Sequence, residues 1–140
     1  MRDALFYAIR LRFRSNPTLF SKSRDVLLDL TDQDRPNAVR PYVDCTITLA
    51  DQPNTLNTDI DEYEVEFRFH AGGIKPMAAH EWLEAMRTMF KDSDLKSHAF
   101  QCCGIRQTGA RGPGSADGGY DAIATFRMFV QRTVRSPVVV

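Results

Sequence analysis

This chain predicts an α+β domain, a mainly antiparallel sheet of four to five strands with two helices packed on one face, and three observations carry that expectation. In residues 61–69, Tyr63, Val65, Phe67 and Phe69 alternate with Glu62, Glu64, Glu66 and Arg68, the period-two pattern of a strand with one dry and one wet face. After Ala71-Gly72-Gly73, Pro76 suits a first helical position, and Ala79, Trp82, Leu83, Met86, Met89 and Phe90 recur at helical spacing, with Glu81, Glu84, Arg87 and Lys91 on the remaining faces. Tyr120, Ala122, Ala124, Phe126, Met128 and Val130 then alternate over eleven positions, the longest strand signal in the sequence. Runs of strands with two helices that supply their cover give an α+β architecture.

Taken in order, residues 2–14 support two readings. Leu5, Phe6, Ile9 and Phe13 make a helical stripe, while residues 9–14 alternate like a strand. A strand would have to begin abruptly at Ile9, so the expectation is a helix, followed by an Asn16-Pro17 cap and a short second turn through Phe20. Val26-Leu27-Leu28 reads as a short edge strand before the turn-forming residues 31–37. Residues 42–49 form a strand with Val43, Cys45, Ile47 and Leu49 on the dry side and Asp44, Thr46 and Thr48 on the wet side. The polar residues 51–59 join antiparallel neighbours, and residues 93–97 end the second helix. Residues 99–107 read as another strand, weakened or bulged at Gly104. Five of the eight glycines fall within residues 109–119, which are expected to form a flexible hairpin loop. Ile123 and Phe129 lie on the outer face of the last strand and mark a contact surface. The tail, residues 135–140, is apolar after Pro137 and is expected to fray or to dock on a neighbour.

At 140 residues the chain makes one domain, residues 1–140. Basic and acidic residues both number 18, so bulk charge gives no reason to bind a polyanion. The signs are segregated, however. Residues 1–24 hold Arg2, Arg10, Arg12, Arg14, Lys22 and Arg24 against Asp3, whereas residues 25–70 hold eleven acids against Arg35, Arg40 and Arg68. Solvated faces account for such polarity, and so does a contact between unlike faces of two copies. Cys45, Cys102 and Cys103 are odd in number and lack metal spacing, so free thiols in a reducing compartment are expected rather than a disulfide framework or a zinc site. No apolar run is long enough for a signal or a membrane span, and the expectation is a soluble, unexported chain.

Chemistry-bearing patterns are thin. His70, His80 and His98 lie in different elements, and the motifs HExxH, GxSxG and GxxxxGK[ST] do not occur. Cys102-Cys103 near His98 offers a thiol and a base, but adjacent strand residues point to opposite faces, and buried, unreactive cysteine is the stronger reading. Glu62, Glu64 and Glu66 form one carboxylate row with a spacing of about 7 Å, read first as a solvated strand face and second as a metal site or the lining of an acidic channel. The glycine-rich segment lacks the lysine and following helix of a phosphate loop. No catalytic residue, metal ligand or cofactor is assigned.

Pro41-Tyr42-Val43 opening a strand, residues 61–67 as the next strand, Met77-Ala78-Ala79-His80-Glu81-Trp82-Leu83 as a helix, and a closing hairpin over residues 100–130 together resemble the tail terminator or tail completion (neck) proteins of long-tailed bacteriophages. The similarity covers nearly the whole chain and rests on element order rather than on invariant residues. The basic residues 9–14 and the long glycine-rich hairpin depart from the usual pattern. The resemblance implies a structural virion protein without enzymatic activity: a typically hexameric ring that caps the tail tube, stops its polymerisation and helps join tail to head. It implies a homo-oligomer whose partners are the tail tube protein and a head-completion or neck protein, assembled in the host cytoplasm and resident in the virion, with no membrane involved. DNA is expected to pass through the ring without specific recognition. The alternatives are a head-completion or neck adaptor, or a small α+β ligand-binding or enzymatic domain. A closed ring needs a heterologous interface. Its candidate residues are Arg10, Arg12 and Arg14 on the basic side, Glu62, Glu64 and Glu66 on the acidic side, and Arg111, Ile123 and Phe129 on the hairpin. An acidic row facing the lumen would instead repel the duplex.

Overall fold

A computed structural model describes residues 2–19, 26–28, 41–50, 60–72, 76–90, 95, 100–116 and 119–132. It contains helix α1 (Arg2–Arg14), strands β1 (Val26–Leu28), β2 (Tyr42–Leu49) and β3 (Ile60–Gly72), helix α2 (Met77–Met89), and strands β4 (Phe100–Ala116) and β5 (Gly119–Arg132). The expected turn over residues 31–37, the connection 51–59, the polar residues around 93–97 and the tail 135–140 fall on residues outside this description, apart from Leu95.

The five strands lie in the order β1-β2-β3-β5-β4. β1 pairs parallel with β2, and every other pairing is antiparallel, so the α+β sheet with helices on one face is the observed architecture. The ambiguous first segment is a helix. Leu5, Ala8, Ile9 and Phe13 are buried at helical spacing, whereas Tyr7 and Leu11, which would share a face with Leu5, Ile9 and Phe13 in a strand, are exposed. Its end follows from Asn16: the Leu19 N–H donates to Asn16 Oδ1 at 3.1 Å, and residues 17–19 make one further helical turn after Pro17. At α2, Pro76 sits at the N-cap with φ −74° and ψ −6°, one position ahead of the first helical residue. Proline has no side-chain acceptor, so this helix begins without a capping hydrogen bond.

The core lies between the helices and one sheet face. Val43, Cys45 and Ile47 of β2, Tyr63, Val65, Phe67 and Phe69 of β3, and Ala122, Ala124, Phe126, Met128 and Val130 of β5 are all buried there. Register explains how the helices fit. Phe67 lies opposite Ala124 and Phe69 opposite Ala122, so each large ring has a small neighbour and leaves space above the sheet. Trp82 of α2 fills that space, stacked on Phe69 at 5.2 Å between ring centroids. Phe90, just past α2, meets Phe126 edge-on at 5.0 Å, and Phe126 meets Phe67 edge-on at 5.8 Å. The helices are also tied at their ends, since Arg12 Nε donates to Met89 O at 3.1 Å and Arg2 Nε to Ile47 O at 3.0 Å.

Three expectations change. Leu49 shares the parity of the dry row but is 53 % exposed, because that row runs past its cover at the end of β2. Asp44 shares the parity of the wet row and is buried. The glycine-rich residues 109–119 are not a loop over most of their length: β4 continues to Ala116 and β5 begins at Gly119. Pairing of β4 with β5 holds Gly109, Gly114 and Gly119 in the ladder, with register shifts between Cys102 and Gly104, Gln107 and Gly109, and Arg111 and Gly114. The first of these is the irregularity expected at Gly104.

Trp82→Ala is expected to cost about 3–5 kcal/mol in urea unfolding, because it empties a fully buried site under both α2 and β3. Trp82→Phe should cost far less, since it keeps a ring in the site while removing an indole N–H that has no hydrogen-bond partner among the described residues; equal losses for the two variants would contradict this packing. In β4, Gly112 has φ +113°, and an added Cβ would lie 2.7 Å from Asp121 O, whereas nothing lies within 4 Å of a Cβ at Gly109. Gly112→Ala should therefore destabilise by about 1–3 kcal/mol, while Gly109→Ala is neutral or slightly stabilising. Thermal melts of the two variants separate these outcomes.

Candidate functional site

The sheet face away from the helices carries most of the residues that sequence patterning singles out. Cross-strand register arranges them in rows. Thr48, Glu64, Arg127 and Arg106 stand side by side from β2 through β3 and β5 to β4; Thr46, Glu66 and Thr125 form the next row, and Arg68, Ile123 and Arg111 another. Glu62 and Phe129 are opposite one another at the far end. Glu62, Glu64 and Glu66 thus form one line along β3, and Ile123 and Phe129, both half-buried, are brought onto the same face. No residue of α1 or α2 is needed to build this surface.

Its charge is mixed rather than acidic. Arg127 Nη1 donates to Glu62 Oε1, and that hydrogen bond and the glutamate's charge hold the guanidinium pKa above its ordinary value, with Glu64 adding to the effect. Arg127 and Arg106 stand directly opposite each other, a like-charge pair that the glutamates beside Arg127 offset. The row of glutamates is therefore a narrow acidic strip, bordered by Thr46 and Thr48 on the β2 side and by Thr125, Arg127 and Phe129 on the β5 side. A uniformly acidic surface of the kind that would repel a passing duplex is not what these residues form.

The basic residues of α1 divide between two directions. Arg12 is drawn toward α2 by its hydrogen bond to Met89 O and helps line a shallow depression of about 280 Å³ with Ser15, Asn16, Thr88 and Met89. Arg10 and Arg14 lie on the solvent side, together with Tyr7 and Leu11. Alternation and charge pick out the arginines but not the two apolar residues between them.

A polar cluster that the sequence reading missed closes one end of the open face. His70 of β3 is flanked by Asp44 of β2 and Asp121 of β5, with Nε2 to Asp44 Oδ2 at 3.0 Å and Nδ1 to Asp121 Oδ1 at 3.3 Å. Tyr42 stacks on the imidazole at 4.4 Å. Carboxylate oxygens only accept, so the arrangement is fully satisfied when both ring nitrogens carry hydrogen. Asp44 and His70 are only 3 % and 5 % exposed, and the two carboxylates approach opposite edges of the ring. They do not converge on a common point, and no group of three or more His, Cys, Asp or Glu among the described residues is placed to hold a metal ion. The signal was available in part: Tyr42 pairs with His70 and Asp44 with Arg68 once β2 and β3 are placed in register, but the sequence alone does not fix that register.

The cysteine and histidine readings fall into place separately. Cys45 is buried, and burial, reinforced by neighbouring Asp44, pushes its thiol pKa far up, which makes it unreactive. Cys102, expected to be buried, is half-buried instead and directs its thiol to Gly104 O at 3.4 Å, and the Cys103 side chain lies outside the description. His80 is exposed on α2, and His98 lies outside the described residues. Among those residues no helix is long and apolar enough to cross a membrane. No protein family profile and no curated protein matches the chain.

Asp44→Ala and His70→Ala should each destabilise the fold by about 1–3 kcal/mol, because either change strands a buried polar partner. The double variant should lose less than the sum of the two. Additive losses in denaturant titrations would show that the pair does not act as a unit.

Proposed function

We propose that this chain is a structural virion subunit that assembles through unlike faces into a ring, capping the phage tail tube and ending its polymerisation. The observation that carries the reading is the one-sided cover of the sheet. Both helices lie on one face, the other is built from Glu62, Glu64 and Glu66 beside half-buried Ile123 and Phe129, and α1 bears four arginines against Asp3, a net +3 (4 − 1). A basic helix on one side of a subunit and an acidic strip on another are what a heterologous contact between copies needs. The order helix, strands, helix, hairpin supports the likeness to tail terminator and tail completion proteins. In this reading the hexameric ring meets the tail tube protein on one side and a head-completion or neck protein on the other, in the virion tail or neck. DNA passes through without base readout, and the chain performs no catalysis.

Native mass spectrometry and electron microscopy of the purified full chain test this. The expected result is a closed ring that dissociates as salt rises, since exposed charge pairs are screened within about 8–10 Å at physiological salt. A monomer at all concentrations and low salt would overturn it.

A further inference from the structure

The least explained surface lies on α1. Its buried side, Leu5, Ile9 and Phe13, is complete, yet Tyr7 and Leu11 stand on the opposite side at 61 % and 52 % exposure. They are one turn apart. With about 100° of rotation per residue, Tyr7, Leu11, Arg10 and Arg14 fall within an arc of about 100°, which also holds exposed Asp3 at the start of the helix, so beyond its first turn this face sets two apolar groups beside two guanidinium groups. A pair of large apolar side chains in the middle of a solvent-facing arc marks a contact. Tyrosine and arginine are also the residue types that anchor interfaces most often.

The chain itself supplies a matching surface. Glu64 is exposed and Glu66 half-exposed on β3, beside Thr48 and Thr46 of β2. Two residues along a strand advance about 7 Å, and four along a helix about 6 Å, so Arg10 and Arg14 are spaced to face Glu66 and Glu64. Tyr7 and Leu11 would then cover the threonines and the aliphatic stems of the glutamates. Arg10 and Arg14 are opposite in charge to Glu64 and Glu66, the complementarity a contact between copies would use.

We infer that the outer face of α1, anchored by Tyr7 and Leu11, docks on the Glu64–Glu66 strip of a second copy of this chain, forming the repeating contact of the ring. This assignment rests on the ring reading above. It leaves the Glu62–Arg127 pair intact as an internal element of the open face.

The test compares full-length variants by sedimentation and native mass spectrometry at low salt. Tyr7→Ser with Leu11→Ser, and separately Glu64→Lys with Glu66→Lys, should each weaken assembly at least about tenfold, as expected for loss of central contacts. Circular dichroism should be unchanged, since the substituted side chains are exposed or half-exposed. A chain carrying Arg10→Glu, Arg14→Glu, Glu64→Lys and Glu66→Lys together should assemble again. A wild-type chain that forms rings while the Tyr7/Leu11 and Glu64/Glu66 variants form them equally well would overturn this contact and leave the ring reading standing. A wild-type chain that stays monomeric would overturn both. If the Tyr7/Leu11 variant forms normal rings but no longer binds tail tube subunits, the helix face belongs to that partner and the inference fails.

Discussion

Burial of a single row on β3 governs the rest of the molecule. Tyr63, Val65, Phe67 and Phe69 face the helices, and β3 is the third of five strands, hydrogen-bonded on both sides. A slip of one residue against either neighbour would turn those four side chains to the open face and drive Glu64 and Glu66 under the helices. That alternative is prohibitive, because unpaired carboxylates would be carried into an apolar layer. Register with β2 and β5 follows from this row, and register in turn places every residue of the outer face. The arginines and glutamates there are neighbours because the aromatic residues behind them have only one workable position.

Much of this was legible beforehand. Long alternating runs and the stripe from Ala79 to Phe90 identify β3, β5 and α2, since a solvent-facing side and a core-facing side leave opposite residue types at fixed spacing. The basic first segment was ambiguous on pattern alone, and burial of Ala8 with exposure of Tyr7 and Leu11 decides for helix. The glycine-rich stretch misled because local composition reports the entropy of a free chain, whereas β5 supplies a ladder partner along most of residues 100–116. Asp44 and His70 were invisible for a related reason. Twenty-six residues separate them, and neither differs in type from an ordinary surface residue. Of the candidate interface residues, the glutamates and hairpin residues gather on one face, while Arg12 turns inward from Arg10 and Arg14.

The two sides of the domain are built on different physics. Between helices and sheet, aromatic rings opposite alanines make a close-packed layer in which shape matters more than charge. On the open side, threonines, glutamates and arginines sit in a plane of high dielectric, where each pair contributes little alone and the pattern as a whole sets which surface is attracted to it. The Asp44, His70 and Asp121 cluster bridges the two regimes, linking three adjacent strands through buried Asp44 and His70 and half-buried Asp121.

The irregular register of β4 bears on how copies of the chain can meet. In the order β1-β2-β3-β5-β4, the outer strands each pair on one side only among the described strands, and a long, flat outer strand invites another chain to add to the sheet without limit. Here one outer strand is three residues long, and the other carries three register shifts, the arginines Arg106 and Arg111, and Pro113, which has no N–H to donate. Both borders are thereby poor templates for fibre growth. Contact with another chain is left to side-chain surfaces, whose geometry can close on itself and whose strength ionic conditions can tune.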